Sequence, residues 1–168
     1  MKASFITCAD LNDNADLVTG FLRLEMPRAA AEKARPPVHL SIIIDASGSM
    51  EGRSIELVKQ AAGSLLQWLT RRDHISIVAF ANTVEVVIPH LQLTDKPSAL
   101  EKIRQITAGG STNLSGGLLE GLNDIALNFR QNELHYVILL TDGQANVGVT
   151  DPEQLARITT SFLEKGIH

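Results

Sequence analysis

The sequence predicts a doubly wound α/β domain with a mostly parallel sheet and one antiparallel edge strand. Three observations support this fold class. Residues Val38–Asp45 form an apolar run without a polar face, as expected of a central strand covered by helices on both sides. A glycine-containing turn and a long amphipathic pattern follow this run. Strand-like and helix-like segments then alternate to the end of the chain, which is typical of a doubly wound sheet.

The first half of the domain contains one predicted helix and two more strands. Apolar residues recur at steps of three and four in the helix, at Ile55, Val58, Ala62, Leu65, Leu66 and Leu69. The segments Ile75–Phe80 and Val84–Ile88 are short apolar strands. Only three residues join them, so they are predicted to be antiparallel, because a parallel crossover needs a dozen or more residues. Pro89 is expected to end the second of these strands at a sheet edge.

The second half continues the alternation. Helices are predicted over Ser98–Ile106 and from about Leu114 to Phe129, and a strand over Leu134–Thr141. Asp151 precedes a proline, which is a typical start for the last helix, and Gly166 is expected to end it. Trp68 is expected to fill the core or a groove. The five histidines share no ligand spacing and are interpreted as packing or surface residues.

The domain organisation is predicted as an N-terminal β element and linker over residues 1–37, followed by the α/β domain over 38–168. The N-terminal strand is placed at Leu17–Met26, and Pro27–Pro37 is rich in Ala, Pro and charge, as linkers are. The C-terminal strands of the sheet are expected to be truncated, since the chain ends where another strand would begin. Leu134–Thr141 would then be an apolar edge that self-associates or is covered by another molecule, by the N-terminal strand or by swapped elements.

Length and composition narrow the function classes. The 168 residues suit one domain with a proper core, and 44% apolar and 20% charged residues are ordinary for a soluble protein. A formal net charge of −4 argues against nucleic acid as a partner. The single cysteine, Cys8, excludes an internal disulfide framework. No run approaches the roughly 20 apolar residues of a membrane span or resembles a signal peptide, so a cytoplasmic location is expected.

Three groups of oxygen-bearing side chains follow strands of the predicted sheet. They are Asp45-Ala-Ser47-Gly-Ser49, Gly109-Gly-Ser-Thr112-Asn113 and Thr141-Asp142-Gly143. Ligands of doubly wound sheets bind just beyond the carboxyl ends of the strands. If the Val38 and Leu134 strands are neighbours, the three loops converge on one patch.

The donor set of these loops indicates a hard cation. Asp45, Ser47, Ser49, Thr112 and Asp142 offer two carboxylates and three hydroxyls, without a histidine or cysteine. Oxygen sites with few carboxylates suit Mg²⁺, while Mn²⁺ and Ca²⁺ remain open alternatives. Only two protein charges face the ion, so an anionic oxygen from outside would find an electrophilic coordination position.

The same residues resemble the von Willebrand factor type A domain and its metal-ion-dependent adhesion site. The likeness rests on Asp45-Ala-Ser-Gly-Ser49-Met50, Gly110-Ser-Thr112-Asn113 and Leu140-Thr-Asp142-Gly143, and covers roughly Pro36 to the end. It implies that Ser47, Ser49 and Thr112 bind the metal through hydroxyls. Asp45 and Asp142 would bind it directly or through waters. A Glu or Asp of a protein partner would complete the site. The N-terminal segment is similar to that of bacterial and inter-alpha-inhibitor-like members.

Other interpretations of these loops remain open. Asp45-x-Ser-x-Ser can simply cap the following helix, and Asn113 can cap the Leu114 helix while Thr112 faces the metal. A metal-dependent phosphohydrolase would use Asp45 or Asp142 to position a phosphate, although no Lys or Arg accompanies the three loops. The metal could also serve only to hold the loops together. A non-enzymatic, Mg²⁺-dependent protein-binding module is the preferred hypothesis.

Overall fold

The computed structural model describes residues 2–6, 21–25, 35–142 and 147–168, and it divides the chain into two units, residues 1–35 and 36–168. In the first unit, β1 (Lys2–Ile6) pairs antiparallel with β2 (Phe21–Glu25). The predicted strand Leu17–Met26 is confirmed over Phe21–Glu25, and its other residues lie outside the described ranges. The strand β1 was not predicted.

The second unit alternates strands and helices around one four-stranded sheet. Its elements are β3 (Val38–Asp45), a 3-10 turn (Gly48–Met50), α1 (Arg53–Trp68), β4 (His74–Phe80), β5 (Val84–Gln92), α2 (Lys96–Gln105), α3 (Leu114–Leu127), β6 (Leu134–Leu140) and α4 (Pro152–Leu163). The strand order is β5-β4-β3-β6. β3 is parallel to β4 and to β6, and β5 is antiparallel to β4. The predicted fold class, a mostly parallel sheet with one antiparallel edge strand, is confirmed.

Burial explains the apolar run Ile42–Ile44 in β3. Ile42, Ile43 and Ile44 are all fully buried. Successive side chains of a strand point to opposite faces of the sheet. Ile42 and Ile44 accordingly belong to the core on the side of α1 and α2, and Ile43 to the core on the side of α3 and α4. Both faces of the central strand are therefore covered, as the sequence predicts.

The edge strand β5 runs further than expected. Pro89 does not end it, because β5 continues to Gln92. The pairing of Ile77 with Ile88 is followed by that of Ile75 with Leu91, so two residues of β5 lie opposite one residue of β4. This is a β-bulge, and an edge strand tolerates a proline there because its outer side donates no hydrogen bond to the ladder.

The helix ends agree with the sequence to within two residues at most positions. Asp95 caps α2 by accepting a hydrogen bond from Ser98 N at 3.0 Å, and Asp151 caps α4 by accepting one from Glu153 N at 3.0 Å. The prediction that Trp68 fills the core or a groove is wrong, since the residue is 71% exposed. It is the last residue of α1, and Leu69, only 7% exposed, takes the inward position instead.

The outer edge of β6 is paired along part of its length by the last residues of the chain. Ile167 forms a parallel bridge with His135. His168 N donates to His135 O at 2.9 Å, and Val137 N donates to His168 O at 2.7 Å. The expectation that another molecule covers this edge stays a prediction. Within the described ranges, no helix has the length and apolar character needed to cross a membrane.

Candidate metal centre

Asp45 joins the carboxyl ends of the two neighbouring strands β3 and β6. It is fully buried at the last position of β3. Its Oδ1 accepts a hydrogen bond from Ser47 N at 2.9 Å, and its Oδ2 accepts one from Thr141 Oγ1 at 2.6 Å. Thr141 directly follows β6. The carboxylate therefore holds the start of its own loop and the end of the adjacent strand in one place.

The turn after Asp45 presents two hydroxyl groups side by side. Ser47 is fully buried while Ser49 is exposed, and their Oγ atoms lie 3.1 Å apart. The 3-10 turn begins with Met50 N donating to Ser47 O at 3.0 Å. The Met50 side chain is 2% exposed and anchors this turn in the core. The buried Met50 therefore helps to fix this pair of hydroxyls, of which one is buried and the other reaches solvent.

The second loop is bound to this turn through the main chain. Gly109 N donates to Ala46 O at 2.8 Å, and Gly48 N donates to Gly110 O at 2.9 Å. A side chain on Gly48 would lie 3.1 Å from Gly110 O, and Gly110 has a φ of +83°. The approach of the two loops and the left-handed turn both favour glycine. Thr112, which follows in this loop, is 1% exposed.

Residues on either side of Thr112 fix its position. Asn113 N donates to Ala81 O at 2.9 Å, and the Asn113 side chain caps α3 by accepting from Gly116 N at 3.1 Å, as expected. Thr112 O accepts a hydrogen bond from Val147 N at 3.0 Å. The loop is thus attached to Ala81, the residue after β4, and to Val147 in the segment before α4.

The structure brings the predicted loops together to different degrees. Asp45, Ser47 and Ser49 are linked by direct hydrogen bonds, and Thr112 lies in a loop bonded to the same turn. Asp142 is exposed and follows Thr141, the residue bonded to Asp45. Gly143 lies outside the described residues. The role of Thr141 was missed, although the residue is part of the third loop that the sequence analysis singled out.

The geometry of the hydroxyl pair fits a small octahedral ion. Magnesium–oxygen bonds of about 2.0–2.1 Å place adjacent ligand oxygens about 2.9–3.0 Å apart. The Ser47 and Ser49 oxygens, 3.1 Å apart, need to move little to occupy such positions. Both oxygens of Asp45 already accept hydrogen bonds, so this carboxylate is suited to orienting the loops and to binding the ion through water.

A second polar cluster, at the opposite ends of the same strands, was missed by the sequence analysis. His39, His74 and His135 stand at the first or second positions of β3, β4 and β6, and His39 is in register with both of the others. His90, which lies in the β5 bulge, places Nδ1 2.9 Å from His39 Nε2. Each histidine was interpreted as a packing or surface residue, and the burial of His39, His74 and His135 and the exposure of His168 agree with this, but the meeting of four histidines in one cluster was not expected. Register across the sheet, rather than spacing along the chain, brings them together.

Carboxylates from the α3 side complete this cluster. Asp124 Oδ2 lies 3.3 Å from His39 Nε2, and Glu133 Oε2 lies 3.5 Å from His74 Nδ1. Burial, together with the neighbouring His39, lowers the pKa of His90 to about 4. Burial alone would raise the pKa of Asp124, but the facing His39 and Ser76 side chains outweigh it and hold that pKa below its ordinary value.

Taken together, these features define a class of protein: a doubly wound α/β domain with an oxygen-rich site at the carboxyl ends of its parallel strands. Comparison with known proteins is more specific. The profile of the von Willebrand factor type A domain matches residues 39–162, and the chain belongs to this family. Domains of this family are protein-interaction and adhesion modules.

The chain is similar to bacterial and to animal proteins. The uncharacterized protein sll0103 of Synechocystis sp. is 32% identical over 148 residues, which cover 85% of this chain and 34% of that protein. Inter-alpha-trypsin inhibitor heavy chain H3 of Pongo abelii is 33% identical over 130 residues, which cover 71% of this chain and 14% of that protein. The likeness of the chain to bacterial and inter-alpha-inhibitor-like members is confirmed, while the likeness of its N-terminal segment stays a prediction. The chain spans only about a third or less of the length of these relatives.

A solved structure shares the fold. Proximal thread matrix protein 1 from the mussel byssus superposes with a TM-score of 0.62 at 19% identity. Its structure was determined with zinc in its metal-ion-dependent adhesion site (MIDAS) motif. The match covers 79% of this chain and 37% of that protein. At this identity the likeness concerns the fold.

Proposed function

We propose that the unit of residues 36–168 is a Mg²⁺-dependent protein-binding module that captures an acidic side chain of its partner. Asp45, Ser47, Ser49, Thr112 and Asp142 would hold the ion. Mn²⁺ or Ca²⁺ are the other candidates among divalent cations. The partner would be a protein that offers a Glu or Asp at a protruding position, so that one carboxylate oxygen completes the coordination.

The observation that carries this proposal is the pair of hydroxyls above a buried carboxylate. Ser47 and Ser49 hold two oxygens 3.1 Å apart, and Asp45 beneath them is fully buried and bonded to the ends of two strands. A helix cap alone needs no second hydroxyl and no link to β6. Here, Ser47 precedes the 3-10 turn but its side chain makes no capping hydrogen bond to it. The residue at the N-cap of α1 is Gly52, which has no side chain to act as a cap.

Each residue has a distinct part in the proposed binding. A bound Mg²⁺ would supply an electrophilic position for an anionic oxygen. Ser47 and Ser49 offer neutral oxygens, so the charge of the ion would be offset only by the carboxylates of Asp45 and Asp142. Asp45 keeps the turn and Thr141 in place, while the exposed Asp142 stands beside them at the surface. Few protein charges at the site mean that a carboxylate from outside is attracted strongly.

We propose further that the module is not an enzyme. Hydrolysis of a phosphate ester would need a cation to stabilise the developing charge and a group to accept a proton. The loop segments 45–50, 109–115 and 141–142 contain no Lys, Arg or His. The buried Asp45 is occupied by two hydrogen bonds and is poorly placed to act as a base.

Selection of displayed peptides in Mg²⁺, followed by binding measurements, tests the proposal. We expect selected peptides to contain Asp or Glu, and replacement of that residue by Asn or Gln to abolish binding. EDTA and the substitution Asp45→Asn should also abolish it. Asp95→Asn is the matched control, because Asp95 is an exposed cap of α2 remote from the three loops.

Three outcomes would contradict the proposal. Binding that persists in EDTA and in the Asp45→Asn variant would show that the partner does not coordinate the ion. Thermal stabilisation by Mg²⁺ without any metal-dependent peptide binding would indicate that the ion only holds the loops together. Turnover of a generic phosphate ester that is lost on Asp45→Asn would indicate an enzyme.

A further inference from the structure

We propose that His39, His90 and Asp124 form a second metal site, specific for a transition-metal ion of the Zn²⁺ type, at the amino ends of the parallel strands. This site is independent of the proposed Mg²⁺ site. Asp45 lies six positions beyond His39 in β3, and at about 3.3 Å per residue these two residues are about 20 Å apart. They cannot share one ion.

The three ligand atoms are already close together. His39 Nε2 lies 2.9 Å from His90 Nδ1 and 3.3 Å from Asp124 Oδ2. One potential ligand atom from each of the three residues lies within 4.8 Å of those of the other two. Bonds of about 2.0–2.2 Å in a tetrahedral zinc site place ligand atoms about 3.3–3.6 Å apart. The His39–Asp124 separation already has this value. Small rotations that part the two imidazoles and bring His90 nearer to Asp124 would complete the triangle.

Buried polar atoms around the cluster are left without hydrogen bonds. His39 is fully buried, and its Nδ1 has no hydrogen-bond partner among the described residues. Among the same described residues, Asp124 Oδ2 also makes no hydrogen bond of normal geometry, although it faces His39. An unsatisfied buried carboxylate oxygen costs free energy, and a metal ion at the position it faces would remove that cost.

The β5 bulge places His90 in the cluster. Ser76 of β4 faces two residues of β5, Pro89 and His90, because the register shifts at this point. Bulges re-aim side chains and are frequent next to functional sites. The His90 ring consequently stacks on His74, with centroids 5.0 Å apart and planes inclined by 9°, while its Nδ1 reaches His39. Three elements that are distant in the chain, β3, β5 and α3, thus supply one ligand each.

The donor set selects the kind of ion. Two imidazole nitrogens and one carboxylate are preferred by Zn²⁺ and its neighbours in the first transition row, whereas Mg²⁺ and Ca²⁺ require oxygen. The guanidinium of Arg130 lies near the cluster and would repel a cation. Its charge is paired, because it lies 3.2 Å from Glu133 Oε1. His90 and Asp124 are only partly buried, which leaves the ion a path from solvent and a fourth position for water.

Without a metal ion the cluster has a simpler explanation, which the experiment must exclude. The His39 and His90 nitrogens can share one proton in a hydrogen bond, with both rings neutral. Metal binding requires that proton to move to the other nitrogen of the ring that carries it, whereas a purely structural hydrogen bond does not respond to Zn²⁺. Response to the ion therefore separates the two explanations.

The test measures Zn²⁺ binding by the complete chain carrying Asp45→Asn, in which the proposed Mg²⁺ site is disabled. Calorimetry should give one equivalent of bound Zn²⁺, and Co²⁺ should give the visible absorption of a tetrahedral complex. The substitution His90→Gln should weaken binding by more than the roughly 10–100-fold that loss of an outer-shell partner costs. His168→Gln, an exposed histidine outside the cluster, is the matched control and should have no effect.

A second measurement keeps the test decisive if His90→Gln folds poorly. Imidazole ¹⁵N chemical shifts of the Asp45→Asn chain should change at His39 Nε2 and His90 Nδ1 on addition of Zn²⁺, and Asp124→Asn should abolish the change. Equal Zn²⁺ affinity with and without His90, or unchanged nitrogen shifts under saturating Zn²⁺, would overturn the proposal. Neither result depends on partner binding, so failure here leaves the proposed function untouched.

Discussion

Replacing Asp45 by Asn should separate metal binding from folding. In the wild type, Ser47 N and Thr141 Oγ1 donate to the two oxygens of Asp45 at 2.9 and 2.6 Å. The Asn side chain has the same shape as Asp. Its oxygen can accept from Ser47 N, and its amide group can donate to Thr141 Oγ1. Hydrogen bonds to a charged group contribute about 1.5–3 kcal/mol and neutral ones about 0.5–1.5 kcal/mol. Two weakened bonds therefore cost about 2–3 kcal/mol, and the smaller desolvation cost of a buried amide offsets about 1–3 kcal/mol of this. In EDTA we expect the two proteins to differ by no more than about 1–2 kcal/mol.

Mg²⁺ should then raise the stability of the wild type but not that of the Asp45→Asn variant. Binding to the folded state alone stabilises it by about 2.7 kcal/mol when the free ion is at 100 times its dissociation constant. At roughly 4 °C for each kcal/mol in a domain of this size, the melting temperature of the wild type should rise by about 10 °C. The Asp45→Asn variant should gain almost nothing, because it has lost the charge that attracts the ion.

Calorimetric melting in EDTA and in saturating Mg²⁺ measures both quantities, with Asp95→Asn as the control for loss of an exposed charge. A variant that melts far below the wild type in EDTA would mean that Asp45 is mainly a structural residue. An equal Mg²⁺-dependent shift in the wild type and the variant would place the ion elsewhere. Either result would refute the assignment of this carboxylate to the metal centre.

Three further predictions concern packing, charge and capping. Gly121→Ala should destabilise the fold by about 1–3 kcal/mol, because the added carbon would lie 2.5 Å from Ile43 Cδ1. Gly63→Ala should be tolerated, because the nearest atom to its added carbon is the end of a flexible side chain at 3.2 Å. Urea unfolding of both variants checks this difference. Burial lowers the pKa of His90 from 6.5 to about 4, so the folded state binds fewer protons than the unfolded state in this range. The free energy of unfolding in metal-free buffer should therefore be fully present above pH 6.5 and fall as the pH drops towards 4, and His90→Gln should flatten this fall. Asp151→Ala should lower the free energy of unfolding by about 1 kcal/mol, because it removes the cap of α4. Asp151→Asn should lower it less, because the Asn side chain retains an accepting oxygen. Equal melting temperatures of the two variants would contradict the role of the cap.

Long, one-sided patterns in the sequence are what made the fold predictable. β3 was predicted with its observed ends because seven of its eight residues are buried, and the antiparallel β4–β5 pair follows from the shortness of its connection. β1 escaped notice because five residues carry too little pattern, and its partner strand lies well beyond it in the chain. Pro89 was misinterpreted because a bulge in an edge strand leaves no local signature that differs from a strand end.

The two polar clusters differ in how far the sequence reveals them. The oxygen-rich loops were found because each follows a recognisable strand and contains short side chains next to glycines. The contact between Thr141 and Asp45 requires knowing that β3 and β6 are neighbours, which the sequence left conditional. The histidines could not be found from spacing, since His39, His74 and His135 meet only through the register of three strands. Placing histidines on the aligned starts of predicted parallel strands would have been the available signal.

The main-chain hydrogen bonds between the Ser47 turn and the Gly109–Thr112 loop have a consequence for how fast and how tightly an ion can enter. These bonds, at 2.8 and 2.9 Å, form as the chain folds, so the loss of loop entropy is already complete before a cation arrives. Preorganisation of this kind leaves more of the coordination energy for affinity. We therefore expect entry to be governed by the exchange of water around the Mg²⁺ itself, which is slow for this ion, and to be little affected by solvent viscosity.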